Sequence, residues 1–596
     1  MTVRFLGGVA QRRRRFAFGP APTFKQDFVT GGGGALPQGA TFSRATIGTF
    51  YNQSGLIATA STDVARFDYD PNNVLQQNLF VYSNTFANAN WGKTSTTVGI
   101  TSALAPDGTN TATYVMNTVG SSSYIYQNVS SIFLPSTTYI RSFYAQLIVS
   151  GSGIIYSEIG GGFAVVTFNL STGVATSMSG PNISQSMTPV GNGWYYCTHA
   201  FTSSATPSLS LSSVNLYLNS YGASANAQSI GLWNQNVNVG STALPYLATT
   251  STAQTVCAPL GLLIEEARTN SLVQSENFGT TWATASSTVA TNSTTAPDGN
   301  TTADKVTSAA ATAVTGVQQA LTGTAVAWTA SVYAKANGAQ YLQLVWQTPI
   351  NATDYANFDL LGGAVTAGTN TSSSIQYVGN GWYRCTITST LIVAGGALLI
   401  DMVDTSAATR GATFTGDGTK GVYLWGAQSE LGAFATSYIP TTSATVTRNA
   451  DSATVPTGTW YNTAQGTFVA NFDANAIVAT ARIIGTQSAG AALSFPNIAG
   501  QVSIYEGANV SSANFATTKT LTKAASTFVG SALSVCLNSG AVATAAGAGT
   551  FPFSGTTTLG LGSSNNGTSL FLNGHIRSFS YYNYALTNAQ LQQVTT

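Results

Sequence analysis

The chain has 596 residues, a formal net charge of +1 and only 7% charged side chains, against about 25% in an ordinary soluble domain. Hydrophobic residues reach 44%, which excludes a disordered chain, and the balanced charge excludes an overall attraction to nucleic acid. At roughly 150 residues per domain the length indicates about four units, and the abundance of Ser, Thr, Asn and Gly predicts an all-β protein.

The first 40 residues hold prolines, a glycine run and four consecutive arginines, Arg12, Arg13, Arg14 and Arg15. This composition predicts an extended N-terminal arm. The apolar piece before the arginines reverses the order of a secretory leader, and no apolar run approaches the roughly 18 residues that span a bilayer. We therefore expect neither export nor membrane insertion. Residues 41–77 are predicted to form linking strands.

An internal repeat dominates the middle of the chain. Ala105-Pro-Asp-Gly108 returns as Ala296-Pro-Asp-Gly299, and a Val-Gly-Asn-Gly-Trp-Tyr segment ending at Cys197 returns ending at Cys385. Further landmarks follow in the same order, so the repeat indicates two copies of one domain. We place them at residues 78–250 and 273–445, joined by a linking segment at 251–272. In that segment Glu265, Glu266 and Arg268 are expected to form a structural clasp.

Each copy has the period-two pattern of β-strands. Trp328, Ala330, Val332 and Ala334 share one face of a segment whose other face is mostly polar. The Gly-Asn-Gly sequence before each repeated Trp suits a hairpin turn. Strands alternating with turns over a domain of this length predict a jelly-roll β-sandwich.

Residues 446–596 form the third predicted unit. Asn573-Gly574 is expected to turn a hairpin, and a short helix is expected after Thr587. Thr587 would cap this helix, with Gln590 completing a capping box.

Acidic residues are too sparse to favour catalysis. The first copy has only Asp107 and Glu158, and the last unit has only Asp473 and Glu506 beyond Asp451, which stands alone at its boundary. A glycosidase normally needs two facing carboxylates, and a calcium site needs several oxygen ligands. The second copy has nine acids, which are interpreted as turn and loop residues. The alternative for that copy is a metal site or an acid/base pair at Asp354 and Asp359, or at Asp401 and Asp404. We expect no catalytic residue in any unit.

The histidines and cysteines also give no indication of a catalytic or metal site. His199 and His575 have no nucleophile in a recognisable frame, although Cys197 lies two residues from His199. The four cysteines show no CxxC spacing, so they are interpreted as buried free thiols. We therefore expect no metal and no cofactor.

Aromatic and neutral polar side chains, which suit sugars, are plentiful. Trp346 shares a strand face with Leu342 and Leu344 and is interpreted as core. On the opposite face, Tyr341 and Gln343 together with Tyr355 are the candidate carbohydrate-binding platform. A core or subunit-interface role for these three residues is the alternative.

Several motifs resemble those of bacteriophage tail-fibre, spike or head-fibre proteins. They include Arg66-Phe-Asp-Tyr-Asp-Pro71, Gly261-Leu-Leu-Ile-Glu-Glu-Ala-Arg-Thr-Asn270 and the Gly-Asn-Gly-Trp-Tyr strand. The resemblance covers roughly residues 40–450 and implies jelly-roll modules similar to carbohydrate-binding modules. The first copy departs from it, since Asn78-Leu-Phe80 follows an abbreviated leader. The C-terminal unit resembles a concanavalin-A-like, laminin-G-like sandwich.

The resemblance implies a non-enzymatic virion fibre or spike that attaches to a host-surface glycan. It further implies an elongated homotrimer on the particle exterior, assembled in the host cytoplasm, whose arm and arginine run dock onto other virion proteins. The alternatives are an architectural head-decoration or collar fibre without an essential receptor role, and a polysaccharide depolymerase. The alternatives for the run Arg12 to Arg15 are a solvated tail and a contact with nucleic acid or a lipid surface.

Overall fold

A computed structural model describes residues 21–29, 36–117, 122–128, 133–149, 152–160, 163–204, 213–218, 228–321, 326–347, 349, 351–390, 395–475, 481–487, 490–494, 501–506, 509–514, 521–546, 556–564 and 566–596. The described chain is almost entirely antiparallel β-structure with one short helix. The arginine run Arg12 to Arg15 lies outside these residues, so its predicted anchoring role stays a prediction. No helix of the described ranges is both long and apolar enough to cross a membrane.

The N-terminal segment contributes five strands: β1 (Phe24–Asp27), β2 (Thr41–Ser43), β3 (Gly48–Tyr51), β4 (Ile57–Ala60) and β5 (Phe67–Asn78).

The first module contains twelve strands: β6 (Gly92–Thr94), β7 (Thr96–Ala103), β8 (Ala112–Asn117), β9 (Tyr124–Asn128), β10 (Thr138–Val149), β11 (Ile154–Ile159), β12 (Ala164–Asn169), β13 (Val174–Ser179), β14 (Asn182–Gly191), β15 (Trp194–Thr202), β16 (Ser213–Leu218) and β17 (Ser229–Val239). They form two six-stranded sheets in the orders β14-β15-β10-β17-β8-β7 and β13-β12-β11-β16-β9-β6.

Two strands, β18 (Gln254–Ile264) and β19 (Arg268–Asn270), lead into the second module. That module contains β20 (Ala283–Ala285), β21 (Ser287–Thr294), β22 (Ala303–Ser308), β23 (Thr312–Ala313), β24 (Thr315–Leu321), β25 (Ala327–Asn337), β26 (Tyr341–Trp346), β27 (Tyr355–Asp359), β28 (Ala364–Thr369), β29 (Ser372–Tyr377), β30 (Tyr383–Thr390), β31 (Gly396–Val403), β32 (Phe414–Thr415) and β33 (Gly421–Leu431). Its main sheets, β29-β30-β25-β33-β22-β21 and β28-β27-β26-β31-β24-β20, repeat the strand order of the first module.

The C-terminal unit contains β34 (Val446–Arg448), β35 (Ser452–Pro456), β36 (Gln465–Phe472), β37 (Arg482–Gln487), β38 (Gly490–Ser494), β39 (Gln501–Glu506), β40 (Asn509–Asn514), β41 (Thr522–Val529), β42 (Ala532–Leu537), β43 (Ala543–Ala546), β44 (Thr558–Leu561) and β45 (Gly574–Tyr582). Helix α1 (Asn588–Val594) follows. Thr587 caps it and Gln590 completes the predicted capping box.

Alternation along the strands explains the module cores. In β25 the side chains of Trp328, Ala330, Val332 and Ala334 all enter the core of the second module, as the period-two pattern predicts. In β26 Leu342, Leu344 and Trp346 are likewise buried. The central residues of the two Gly-Asn-Gly turns, Asn192 and Asn380, have positive φ values of 51° and 52°. The predicted all-β fold of sandwich modules is therefore confirmed.

The predicted linking segments 41–77 and 251–272, and part of the predicted N-terminal arm, pair into the C-terminal sandwich. Strand β1, which falls in the predicted arm, and strand β18 pair with successive parts of β45 on the edge opposite β36, and β5 extends the same sheet through β18. Strand β2 joins the opposite sheet through β35. Phe28, Leu262 and Ile264 accordingly lie in the C-terminal core. The C-terminal sandwich is thus completed by strands from two earlier parts of the chain.

A buried charge cluster, consisting of Arg44, Arg66, Arg448, Glu265 and Asp451, lies where these segments meet. Asp451 bonds Arg44 at 3.0 Å and also binds Arg66, while Glu265 lies 2.9 Å from Arg66. All five side chains are at most 1% exposed. Two carboxylates neutralise much of the charge of three guanidinium groups away from water, which unpaired charges could not tolerate. The predicted clasp is confirmed and includes Arg268, which lies 2.5 Å from Glu266.

The predicted hairpin at Asn573-Gly574 is wrong. Residues 566–573 form no strand, and β45 begins at Gly574. The Asn573 side chain is buried, and its Oδ1 accepts a hydrogen bond from the Glu266 backbone N–H at 2.8 Å. Asn573 therefore joins the sandwich to the segment before the second module instead of turning a hairpin.

Candidate functional site

The predicted carbohydrate platform lies on the outer face of the β26–β27 pair, but its three residues do not form one surface. Tyr341 pairs with Asp359, whereas Tyr355 pairs with Val345, so the two tyrosines lie about 13 Å apart along the sheet. Both are partly exposed.

Gln343 must be removed from the platform because it is fully buried. Its Nε2 donates to Asn357 Oδ1 at 2.7 Å and to the Thr409 carbonyl at 3.0 Å. Its Oε1 accepts from the Gly411 N–H at 2.7 Å. The amide is thereby fully hydrogen-bonded within the protein, which the alternation of residues along the strand does not indicate.

The cover is a loop of residues 404–412, here called the face loop. Asn357 Nδ2 donates to the carbonyls of Ser406 and Ala408 at 3.2 and 2.7 Å, and Thr366 also bonds Ser406. Asp401, interpreted from the sequence as a turn or loop residue, instead lies in β31 before the loop and is 1% exposed, and burial raises the pKa of its carboxyl to about 7. The outer face of this sheet in the second module is therefore largely closed by its own chain.

The equivalent sheet of the first module carries a row of tyrosines. Tyr217 on β16 pairs with Tyr156 on β11 on one side and with Tyr124 on β9 on the other. In the second module the pair facing each other on the corresponding strands is Gln343 and Asp401. All three tyrosines are partly exposed, and the row crosses about 10 Å of sheet.

Ring contacts hold this tyrosine row together. The ring centroids of Tyr124 and Tyr217 are 4.6 Å apart, and Tyr126 lies 5.6 Å from Tyr124. Gly92 on the neighbouring strand provides the space for Tyr126, since a Cβ at Gly92 would lie 2.2 Å from the ring. Packed rings of this kind present broad apolar faces with hydroxyl groups at their edges.

A polar pair lies next to the tyrosine row on the same face. Asn215 Nδ2 donates to Glu158 Oε2 at 2.6 Å, and the two residues are 5% and 1% exposed. Glu158 belongs to β11 and Asn215 to β16, each two positions along from a tyrosine of the row. Both groups are buried and bond each other, so the pair ties β11 to β16, and the partly exposed surface of this face is provided by the tyrosines.

A second feature is a cleft of about 650 Å³ between the N-terminal strands, the second module and the C-terminal sandwich. His575 lies in it between two carboxylates, with Nε2 3.0 Å from Asp68 and Nδ1 2.7 Å from Asp473. Burial alone would lower the histidine pKa, but the carboxylates outweigh burial and raise it to about 10. No local sequence pattern indicates this pairing, because Asp68 and His575 stand near opposite ends of the chain.

Both ring nitrogens of His575 are held by carboxylates, so the charged ring connects β5 to the C-terminal sandwich. His199 is also buried and bonds Ser157 at 3.1 Å and Asn182 at 2.7 Å. Burial lowers the pKa of His199 to about 3 and raises that of the neighbouring Cys197 thiol far above its usual range. All four cysteines are buried free thiols, as predicted.

Within the described residues, no group of three or more His, Cys, Asp or Glu side chains could hold a metal ion.

No protein-family model matches the chain, and no curated protein matches it. Among solved structures, the carbohydrate-binding module CBM40 of the Ruminococcus gnavus IT-sialidase, bound to α2,3-sialyllactose, is 16% identical with a TM-score of 0.20. The match covers 23% of this chain and 84% of that one. The tandem CBM22-1–CBM22-2 domain of Paenibacillus barcinonensis Xyn10C is 11% identical, with 62% and 99% covered and a TM-score of 0.19.

The LG1–3 region of the laminin α2 chain is 9% identical, with 79% and 97% covered and a TM-score of 0.16. All three TM-scores are low, so the fold assignment rests on the strand pairing described above, and no function is taken from these proteins.

Proposed function

We propose that this chain is a non-enzymatic structural protein that binds a surface glycan through the tyrosine row of its first module. The observation that carries the proposal is the row itself: Tyr124, Tyr156 and Tyr217 lie side by side on three adjacent strands and are partly exposed. Aromatic faces stack on the C–H faces of sugar rings, and the tyrosine hydroxyls at the ring edges bond the sugar hydroxyls.

We further propose that the glycan belongs to a bacterial host and that the protein is a fibre or spike of a bacteriophage particle. The sequence motifs that resemble phage fibres support this, as does the sparsely charged, strand-rich composition. A homotrimer, exposed on the virion, belongs to the same proposal. Its mass in solution tests the trimer, and blocking of phage adsorption by the purified protein tests the receptor role.

The absence of bond cleavage is also part of the proposal. The two carboxylates of the cleft around His575, Asp68 and Asp473, have the histidine ring between their carboxyl groups. Facing carboxylates in a glycosidase instead enclose the scissile bond. Release of new reducing ends from a bound glycan would contradict this part of the proposal.

A purely architectural role is the second candidate, favoured by the buried charge cluster that ties three segments together. An array of immobilised bacterial glycans separates the two. We expect the full-length protein to bind a subset of the array, and Tyr217→Ala to weaken this binding about tenfold through loss of one stacking ring.

The matched control is Tyr355→Ala, which removes a partly exposed tyrosine from the corresponding sheet face of the second module. It should bind as the unmodified protein does. No binding to any glycan, or equal losses for the two variants, would favour the architectural role.

A further inference from the structure

The two modules carry the same aromatic cluster on the outer face of their other main sheet. In the first module Tyr144 pairs with Tyr196 and with Trp233, and its ring lies 4.8 and 5.1 Å from theirs. In the second module Tyr333 pairs with Arg384 and Trp425 in the same positions. Even the indole hydrogen bond is repeated: Trp233 donates to Thr111 at 2.9 Å, and Trp425 donates to Thr302 at 3.0 Å.

The cluster of the second module is covered by another part of the chain. The hairpin of β3 and β4, residues 48–60, lies across it: the Tyr51 hydroxyl is 3.3 Å from that of Tyr333, and the Ile57 N–H donates to the Pro297 carbonyl at 3.0 Å. Tyr333 and Trp425 are each only 1% exposed. This cluster is a structural interface.

The cluster of the first module has no such hairpin in the described part of the chain. Tyr144, Tyr196 and Trp233 are all partly exposed. Hydroxyl and amide groups border them: Ser186 and Thr198 hydroxyls are 2.7 Å apart, and Gln146 bonds the Asn192 carbonyl. A partly exposed cluster of aromatic side chains that is bordered by polar groups is typical of a binding site.

The chemistry around the cluster also differs between the copies. Arg384, Glu276 and Glu430 belong to the second module's network, where Arg384 stacks on Tyr333, Glu276 accepts from Tyr438, and Glu430 accepts from Thr436. The first module has uncharged residues at the three corresponding positions: Tyr196, Asn84 and Asn238. The charged groups that surround the covered cluster in the second module are therefore absent from the first.

We infer that Tyr144, Tyr196 and Trp233 form a second binding surface of the first module, and that its ligand is an uncharged saccharide. The inference rests on the proposed glycan-binding function and adds a second site on the opposite sheet from the tyrosine row. Two sites facing away from each other let one module engage two branches or two chains of a glycan layer. Such bivalent contact slows dissociation more than either site alone.

The test uses the full-length protein and an array of immobilised uncharged oligosaccharides. Tyr196→Arg introduces the residue that the second module already accommodates at this position, so the fold should tolerate it. Tyr196→Phe keeps the ring and is the control. We expect Tyr196→Arg to shorten the retention time on the bound oligosaccharide about tenfold, whereas Tyr196→Phe should change the retention time less than about twofold. The double variant Tyr196→Arg, Tyr217→Ala should show no retention.

Fluorescence adds a readout independent of avidity. The measurement uses a Tyr217→Ala background, and the emission of Trp233 is obtained by subtracting the spectrum of the corresponding Trp233→Phe variant. The oligosaccharide should shift this emission. Unchanged emission, or normal retention by Tyr196→Arg while Tyr217→Ala loses binding, would overturn the second site and leave the first. Failure of the unmodified protein to bind any oligosaccharide would remove both. A lower oligomer mass for Tyr196→Arg with normal retention would show a protein-docking surface and overturn the saccharide assignment.

Discussion

The two modules share strand order and aromatic positions, but they differ in how far other segments of the chain cover their outer sheet faces. In the second module the face loop closes one sheet and the β3–β4 hairpin closes the other. In the first module the corresponding tyrosines and tryptophan stay partly exposed. Among the described residues, the second module thus packs both outer faces against other parts of the chain, while the first module keeps its aromatic residues partly exposed, a difference on which the proposed function depends.

The largest difference should come from the charge cluster that joins the second module to its neighbours. Asp451→Asn removes the carboxylate that binds Arg44 and Arg66 in a site without water access. We expect the free energy of unfolding to fall by about 3–5 kcal/mol, because buried guanidinium charge is left uncompensated. Urea unfolding measures this. Asp107→Asn, in an exposed turn of the first module, is the control, and a similar small loss in both variants would contradict the role of the cluster.

Equivalent tryptophans provide the next comparison. Trp425→Ala empties a buried position and should cost about 3–5 kcal/mol of unfolding free energy. Trp233→Ala removes a partly exposed ring and should cost about 1–2 kcal/mol. Equal costs, measured by the same urea titrations, would mean that the first module's cluster is as fully packed as the second.

Asp401 lies where the first module has Tyr217, and its buried Oδ2 has no hydrogen-bond partner among the described residues. Burial raises its pKa to about 7, so the native fold favours the neutral carboxyl. Its contribution to stability is complete below the unfolded pKa of about 4 and is lost as pH rises through 7.

Asp401→Asn should therefore stabilise the protein by about 1–3 kcal/mol above pH 8 and by little at pH 4. Thermal unfolding at both pH values checks this. Asp404→Asn, which alters an exposed carboxylate of the same module, should show no gain at high pH.

The two histidines should change the pH dependence of stability in opposite directions. The raised pKa of His575 means that its stabilisation is complete below about pH 6.5 and is lost as pH rises to about 10. The lowered pKa of His199 means that stability is complete above about pH 6.5 and is lost as pH falls toward 3. His575→Gln should flatten the alkaline arm of the stability profile and His199→Gln the acidic arm; exchanged effects would refute both assignments.

Local patterns in the sequence predicted what each module does within itself. Alternation identified the core face of β25 and the burial of Trp346, and turn residues identified the Gly-Asn-Gly hairpins. The cap at Thr587 followed from three neighbouring residues.

These local patterns could not predict which strand faces are covered by segments that are distant in the sequence. Period two shows which face of a strand enters its own core, but it carries no information about a distant segment that covers the other face. Gln343 looked available because the face loop comes many residues later, and Asp473 looked isolated because Asp68 belongs to the N-terminal segment. The same limit hid the tyrosine row, whose members come from three strands that are neighbours only after folding.

Chemical footprinting tests the division between the modules most directly. The full-length protein would be nitrated at tyrosine with and without the glycan that it binds on the array, and the modified residues would be identified by mass spectrometry. We predict that the glycan protects Tyr124, Tyr156 and Tyr217 and leaves Tyr341 and Tyr355 as reactive as before. Protection of Tyr341 and Tyr355 with the row unaffected would place the ligand on the second module and contradict the account.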